Sequence, residues 1–292
     1  MIITQIIGGL GNQMFQYAMA RALSLERQTP LLLDISHFDT YSRHQGFELK
    51  RIFNCSSQIA TKNDVRTVLG WQSTPAFKKI FSRPFMSTFR REEFVLEPHY
   101  HFWREVGNTS PVCYLQGYWQ SQRYFEKYLA VIRDDFKFKL PLNDKNIQVA
   151  DRITQVNAVS LHVRRGDYVS NKKTTDFHGL CSIEYYCDAI KNISSKIINP
   201  VFFIFSDDIA WAKENVPIEF PRHYVEHNQG IESFNDMHLM SLCCHNIIAN
   251  SSFSWWGAWL NTNQNKIVIA PKKWFANSIN TKDLLPDGWI SL

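Results

Sequence analysis

The sequence has 292 residues, of which 45% are hydrophobic and 20% charged, and its formal net charge is +5. These values are typical of a folded globular protein and exclude the fibrous and disordered classes. A charge of +5 does not by itself indicate a nucleic-acid-binding protein, and no run of basic residues supports one. The charge is compatible with a pocket for a small anionic molecule or with attraction to an acidic membrane surface.

The cysteines and the N-terminal segment predict a reducing compartment. Six cysteines stand at positions 55, 113, 181, 187, 243 and 244 without a C-x-x-C pair. This spacing favours reduced thiols over a zinc site or a disulfide framework. The first residues lack the basic region and cleavage site of a signal peptide, and no apolar run reaches the ~18 residues of a membrane span. We therefore expect a cytoplasmic protein.

The first half of the chain opens with a βαβ pattern. "MIITQII" is a β-branched run that stops at Gly8-Gly9, and "QMFQYAMARALSLE" has helical spacing with Asn12 as the predicted N-cap. "TPLLLDIS" completes the unit as a second strand. Residues 37–110 lack clear periodicity and predict irregular structure with short helices. "VCYLQGYW" then predicts a strand and "SQRYFEKYLAVIRDDF" a helix.

The second half repeats the alternation of strands and helices. We place a domain boundary within the polar stretch 139–157, which gives domains of residues 1–150 and 151–292. Helices are predicted after Ser182, Asp208, Glu232 and Ser254. The predicted strands are 158–163, 201–205, 223–225, 246–249 and 266–269. The alternation predicts the α/β class, with two Rossmann-like domains that face a central cleft.

Three of these predicted strands end in polar groups. The first ends in Arg164-Arg165-Gly166-Asp167, the second in Ser206-Asp207-Asp208, and the fourth in the segment 250–254, "NSSFS", just before a helix. Because ligands of parallel sheets bind beyond the carboxyl ends of the strands, these groups should meet at one edge. Arginines and helix N–H groups suit a pyrophosphate, and carboxylates suit a ribose or base. Each motif alone is explained as well by a solvated turn or a helix cap, so only their combination predicts a nucleotide site.

The glycine-rich turn leaves a dehydrogenase open as an alternative. Gly9 and Gly11 match the start of G-x-G-x-x-G, and Asp34 could be the acidic partner of that motif, but its third glycine is Met14. A dehydrogenase also leaves the three polar strand ends unexplained. The sequence has no D-x-D, no H-E-x-x-H and no histidine cluster. We therefore expect no metal, and arginine as the group that neutralises a bound pyrophosphate.

Three long motifs in order, "GGLGNQMFQYA", "HVRRGDY" and "NSSFSWWGAWL", resemble those of bacterial α-1,2-fucosyltransferases. The resemblance extends to "GYWQSQRYF" and "DMHLMSLCCHNIIANSS". It implies a GT-B fold and transfer of L-fucose from GDP-β-L-fucose to the 2-hydroxyl of a galactose, with inversion. It implies no cofactor and no metal, since GDP-fucose is a co-substrate.

The resemblance also implies residue roles. Arg164 would hold the β-phosphate of the leaving group and so act as a catalytic residue, and His178 is a candidate base. His162 and Asp236 would contact the guanine, Arg165 would support the phosphate contact, and Asp167 would orient the arginine or meet the nucleotide. The predicted donor-binding residues are Gly9, Gly11, Asn12, Gln13, His162, Arg164, Arg165, Asp167, Ser206, Asp207, Asp236, Asn250, Ser251, Ser252 and Phe253.

Three other functions remain open at this point. A fucosyltransferase of the same fold could make another linkage or use another acceptor. A lectin or adhesin could use the Arg-Gly-Asp tripeptide, and a nucleic-acid protein could use the positive charge. The acceptor is equally open among an O-antigen repeat unit, a lipid-linked intermediate and a free oligosaccharide. A lipid-linked acceptor would bring peripheral contact with the inner face of a membrane.

Overall fold

A computed structural model describes residues 1–40, 45–166, 176–177 and 179–292. The chain divides into two units. Unit 1 contains Met1–Lys139 and Asn280–Leu284, and unit 2 contains Leu140–Ile279 and Leu285–Leu292. The sequence placed the boundary at residue 150, which lies inside a helix of unit 2, Asp144–Thr154. Only three residues of that helix are buried, so its sequence resembles a polar linker.

Unit 1 is built on a five-stranded parallel sheet with the strand order β3-β2-β1-β5-β4. Its strands are β1 (Ile2–Gln5), β2 (Leu31–Asp34), β3 (Gln58–Ile59), β4 (Phe94–Leu96) and β5 (Cys113–Gln116). Its helices are α1 (Leu10–Glu26), α2 (Leu49–Ile52), α3 (Lys62–Leu69), α4 (Pro75–Phe81) and α5 (Leu129–Asp135). Because β1 lies at the centre of the sheet, the turn after it is flanked by neighbouring strands on both sides.

Unit 1 corrects three sequence predictions. Helix α1 begins at Leu10 with Gly9 as N-cap, so Asn12 lies in the first turn and is not the cap. The stretch predicted as irregular contains β3 and β4, which are too short to produce a periodic pattern. The predicted helix after residue 120 begins as two 3₁₀ turns and becomes α-helical only at Leu129.

Unit 2 contains a six-stranded parallel sheet with the strand order β11-β10-β9-β6-β7-β8. Its strands are β6 (Asn157–Val163), β7 (Pro200–Ser206), β8 (Arg222–Val225), β9 (His245–Ile247), β10 (Val268–Ala270) and β11 (Ile290–Ser291). Among its described residues are the α-helices α6 (Asp144–Thr154), α7 (Ile183–Ser194), α8 (Ile209–Asn215), α9 (Phe234–Leu242) and α10 (Ser252–Leu260). The predicted α/β class with two parallel sheets is confirmed.

Both faces of the second sheet are covered by helices, as its apolar strands require. Val159, Leu161 and Val163 of β6 pack in one cluster with residues of α7 and α8. Ala158 belongs to the opposite cluster, which contains residues of α6 and α9. Since side chains alternate along a strand, His162 lies on the same face as Ala158.

All six cysteines are free thiols. None of the helices among the described residues combines the length and the apolar character that crossing a bilayer requires.

Candidate active site

The segment that follows β6 is organised by Asp207, at the end of the neighbouring strand β7. One oxygen of Asp207 accepts a hydrogen bond from the backbone N–H of Arg165 at 2.8 Å. Its other oxygen lies 3.0 Å from the guanidinium of Arg164. A Cβ atom at Gly166 would stand 2.8 Å from that oxygen, so a larger residue there would displace the carboxylate. Strand pairing therefore brings two predicted motifs together, with the carboxylate positioning the arginines.

Arg165 is held by helix α8. Its guanidinium carbon lies 3.8 Å from the centroid of the Trp211 ring, a cation–π distance. Asp208 caps the same helix by accepting the N–H of Trp211, and its carboxylate stands 3.8 Å from Arg165 Nε. That Nε is buried and has no hydrogen-bond partner among the described residues. The guanidinium group of Arg165 is thus held in one orientation, while its Nε–H is not used as a hydrogen-bond donor within the described residues.

The end of β9 brings hydroxyl groups to the same edge of the sheet. Ser251 precedes α10, but its side chain makes no capping hydrogen bond to that helix. Ser252 and Phe253 form its first turn and are half-exposed. A helix N-terminus that lacks a side-chain cap is a favourable place for an anion. Asn250 holds two surrounding loops, because its buried amide donates to the carbonyls of Gly179 and Trp274.

His162 is a neutral histidine at this edge. Burial lowers its pKa to about 3, the positive charge of Arg164 acts in the same direction, and Asp207 opposes both. Its ring lies 6.0 Å from that of Phe253, and within the described chain its Nδ1 has no hydrogen-bond partner. A neutral imidazole can donate a hydrogen bond to an uncharged nucleobase or accept one from it, but it cannot neutralise the charge of a phosphate.

Asp236, in the first turn of α9, belongs to a buried polar network. It accepts a hydrogen bond from Asn228, which exchanges two hydrogen bonds with Asn146 of α6, all at 2.8 Å. The ring of His227 also lies 2.8 Å from Asn146. Burial raises the pKa of Asp236 to about 7, and the hydrogen bond from Asn228 opposes this shift. The hydrogen bond from Asn228 is made to Asp236 Oδ1, which fixes the orientation of the carboxylate.

The glycine-rich turn of unit 1 follows the central strand β1. Gly8 has a φ of 77°, and a Cβ on it would stand 2.9 Å from the amide of Asn12. Asn12 itself accepts a hydrogen bond from Gln120 at 2.8 Å. Gln13 is completely buried, and its amide bonds three backbone groups, the carbonyls of Gly8 and Gly46 and the N–H of Glu48. Direct contact of these residues with a donor stays a prediction.

Glu97 is a positioning residue that the sequence did not reveal. It follows β4, and its carboxylate accepts the backbone N–H groups of Tyr118 and Trp119 at 2.6 and 2.9 Å. Burial raises its pKa to about 7. A Cβ at Gly117 would collide with the side chain of Glu97, so the motif "GYWQ" needs its glycine for this close approach. This turn also places Gln120 where its amide donates a hydrogen bond to Asn12.

The predicted site residues therefore fall into three groups. Those of unit 2 lie along one edge of its sheet, at the ends of β6, β7 and β9 and at the start of α9. Gly9, Gly11, Asn12 and Gln13 lie together at the start of α1 in unit 1. Asp167 and His178 lie outside the described residues.

Sequence reasoning missed Trp211, Asn146 and Asn228. Trp211 contacts Arg165 across 46 positions and Asn146 contacts Asn228 across 82, so these two contacts leave no local pattern. Within the described ranges, no group of three or more His, Cys, Asp and Glu side chains is placed to hold a metal ion.

Comparison with known sequences gives a match over the whole chain. The family described as Glycosyl transferase family 11 matches residues 1–292. An alpha-1,2-colitosyltransferase of Escherichia coli is 36% identical over 100% of this chain and 98% of its own length. The O-antigen biosynthesis glycosyltransferase WbnK of Escherichia coli is 36% identical over 98% of both chains. Galactoside alpha-(1,2)-fucosyltransferase 2 of Oryctolagus cuniculus is 25% identical over 90% of this chain and 68% of its own.

Solved structures share the fold at low sequence identity. The α-1,6-fucosyltransferase NodZ soaked with GDP-fucose aligns with a TM-score of 0.52 and 14% identity, over 89% of this chain and 91% of its own. FUT1 of Arabidopsis thaliana in complex with GDP aligns with a TM-score of 0.54 and 12% identity, over 92% of this chain and 70% of its own. These likenesses agree with the two parallel-sheet units described above.

Proposed function

The chain belongs to glycosyl transferase family 11, and we propose that it transfers L-fucose from GDP-β-L-fucose to the 2-hydroxyl of a galactose in an oligosaccharide, with inversion and without a metal ion. Two relatives support the sugar class and the linkage, since one is an alpha-1,2-colitosyltransferase and the other a galactoside alpha-(1,2)-fucosyltransferase. The GDP-fucose soaked into NodZ supports the donor.

The observation that carries the proposal is the pair of arginines at the end of β6, beside the first turn of α10. Strands β6 and β9 are neighbours in the sheet, and Asp207 of β7 holds Arg164 and the backbone of Arg165. Two guanidinium groups and a helix N-terminus can bind a diphosphate as bidentate donors. Positive charge placed there stabilises a leaving diphosphate without requiring a divalent ion.

The proposed reaction exchanges one carbon–oxygen bond for another. The bond from C1 of fucose to the β-phosphate oxygen breaks, and its electron pair stays on GDP. The 2-hydroxyl oxygen of galactose forms the new bond to C1 from the opposite face, so β-linked fucose becomes α-linked. The hydroxyl proton leaves to a base or to water. Arg164 would stabilise the negative charge that develops on the β-phosphate as the bond breaks.

A colitose donor is the second candidate, because the colitosyltransferase matches the full length of the chain. Colitose is L-fucose without its 3-hydroxyl group. A site that binds this hydroxyl would strongly reject the deoxy sugar, while a site without such a contact would accept both. The rates of transfer from GDP-fucose and from GDP-colitose, measured side by side, therefore distinguish the two candidates.

The first test is turnover with GDP-fucose and lactose. We expect GDP release and formation of 2′-fucosyllactose at the same rate with and without EDTA, because arginine supplies the positive charge. GDP binding without transfer to any galactoside would contradict the proposed acceptor or sugar. A rate that falls in EDTA and returns with added Mg²⁺ would contradict metal independence.

GDP affinity should rise with pH up to about neutrality. An ionised Asp236 can accept hydrogen bonds from both the N1–H and the 2-amino group of guanine, whereas the protonated carboxylic acid is a weaker acceptor. Since burial raises the pKa of this carboxyl to about 7, we expect affinity to fall by up to about tenfold per unit below that value and to level off above it. Titration calorimetry from mildly acidic to mildly basic pH measures this.

The variant Asp236→Asn isolates the effect of this carboxyl from that of other groups. It should remove the pH-dependent part of the affinity, and inosine diphosphate, which lacks the 2-amino group, should then bind nearly as well as GDP. A variant that keeps the wild-type pH profile would exclude Asp236 as the group responsible.

A further inference from the structure

Residues 70–91 of unit 1 form a face that combines exposed aromatic rings with positive charge. This basic aromatic face consists of the exposed residues Trp71, Phe77, Lys79, Ile80, Arg83, Phe85 and Phe89. Phe85 and Phe89 are each 70% exposed and Trp71 is 58% exposed, although large apolar side chains are normally buried. Such a concentration of exposed rings within one segment indicates a contact surface.

The charge of the segment has one sign. Its five charged residues are all Lys or Arg, and it contains no Asp or Glu. Lys78 pairs with Asp34 at 2.9 Å, and Arg91 pairs with Glu93 just outside the segment. Lys79 and Arg83 are exposed beside the rings, and the guanidinium of Arg83 lies 5.9 Å from the centroid of Phe85. The exposed rings are therefore surrounded by net positive charge.

The ring of Trp71 and the backbone of the segment are held in place by neighbouring residues. Trp71 contacts the rings of Phe77 and Phe81 at 5.2 Å each, and Phe81 is buried in the core. The buried amide of Gln72 donates to the carbonyl of Phe89 and accepts the N–H of Arg91. Arg90 donates to the carbonyl of Phe81 at 2.7 Å. The face is thus built in advance and needs no folding to make contact.

We propose that the basic aromatic face docks unit 1 on a membrane surface that contains anionic phospholipid. Aromatic side chains are favoured at the boundary between headgroups and acyl chains, and Lys and Arg are attracted by anionic headgroups. The combination of both features in one segment that contains no Asp or Glu fits this surface. The inference does not depend on which sugar the enzyme transfers.

Sedimentation with vesicles tests the proposal. The full chain should bind vesicles of phosphatidylcholine with phosphatidylglycerol, bind poorly to phosphatidylcholine alone, and bind less in roughly 1 M salt, where charges are screened within ~3 Å. Lys79→Gln with Arg83→Gln should weaken binding about 30-fold, which is about fivefold for each charge removed. Phe85→Ser with Phe89→Ser should weaken it by at least about tenfold.

Control variants remove positive charge or an exposed apolar side chain elsewhere. Lys191→Gln with Lys196→Gln removes two exposed charges of unit 2, and Ile198→Ser removes an apolar side chain that is 79% exposed; both should bind like the wild type. Unchanged melting temperatures show that the variants are folded, as expected for exposed positions.

Failure of the wild type to bind anionic vesicles overturns the proposal. So does a loss of vesicle binding in the control variants that equals the loss in the variants of the basic aromatic face. A wild-type dimer that becomes monomeric in the Phe85→Ser, Phe89→Ser variant would instead assign the face to a second copy of the chain, and would overturn it as well.

Discussion

Arg164→Ala should lower kcat/KM for fucosyl transfer by about 10²–10³-fold, the usual effect of removing one well-placed donor to a developing negative charge. Most of the loss should appear in kcat, because the charge on the departing diphosphate grows as the bond to fucose breaks. GDP release and product formation with lactose measure both constants. Titration calorimetry with GDP separates binding from catalysis.

Two further variants make the result specific. Arg164→Lys keeps the charge but loses the planar pair of donors, so its activity should fall between the wild type and the alanine variant. Arg152→Ala removes an exposed arginine from α6 and should leave activity unchanged. An Arg164→Ala enzyme with wild-type kcat would show that another group stabilises the leaving diphosphate.

Asp207→Ala should lower kcat/KM by about 100-fold, although the proposed role of Asp207 is to position other groups. Its carboxylate receives the backbone N–H of Arg165 and pairs with Arg164, so its removal frees both the arginine side chain and the loop. Displacements of about 1 Å in catalytic groups can cost such a factor. Asp207→Asn can still accept the backbone hydrogen bond and should retain more activity than the alanine variant.

A double variant separates positioning from direct contact with the nucleotide. If Asp207 acts through Arg164, the variant that replaces both by alanine should be no worse than Arg164→Ala alone. Losses that multiply would instead indicate that Asp207 also acts through the backbone of Arg165, whose N–H it accepts, or contacts the donor independently. Asp188→Ala, at an exposed position of α7, is the control for removal of an acidic side chain.

The sequence was sufficient for the part of the fold that follows from local patterns. Continuous apolar runs predict buried parallel strands, and all five strands predicted in unit 2 are present within a few residues of their expected bounds. The sequence failed where the elements are short. Strand β3 has two residues and β4 has three, too few for any periodicity to be recognised.

For the candidate site, the sequence determined which groups stand at the ends of strands, because the chain must leave a buried strand at a definite residue. Arg164, Asp207 and Ser251 could therefore be assigned to one edge of a sheet before their distances were known. Only the tertiary structure decided what each group does there. Asp207, expected to meet a ribose or base, pairs with the arginines because β7 lies beside β6.

The same distinction holds for the residues that the sequence did not reveal. Asn146 and Asn228 are 82 positions apart and meet only because α6 packs on the sheet face that α9 also covers. Trp211 lies under Arg165 because α8 follows the adjacent strand. A linear sequence fixes the chemistry of each side chain and its local periodicity, but strand order and helix packing choose its partners. Burial raises the pKa of Asp236, while those partners set the orientation of its carboxylate and of the arginines, which are the properties that the proposed chemistry uses.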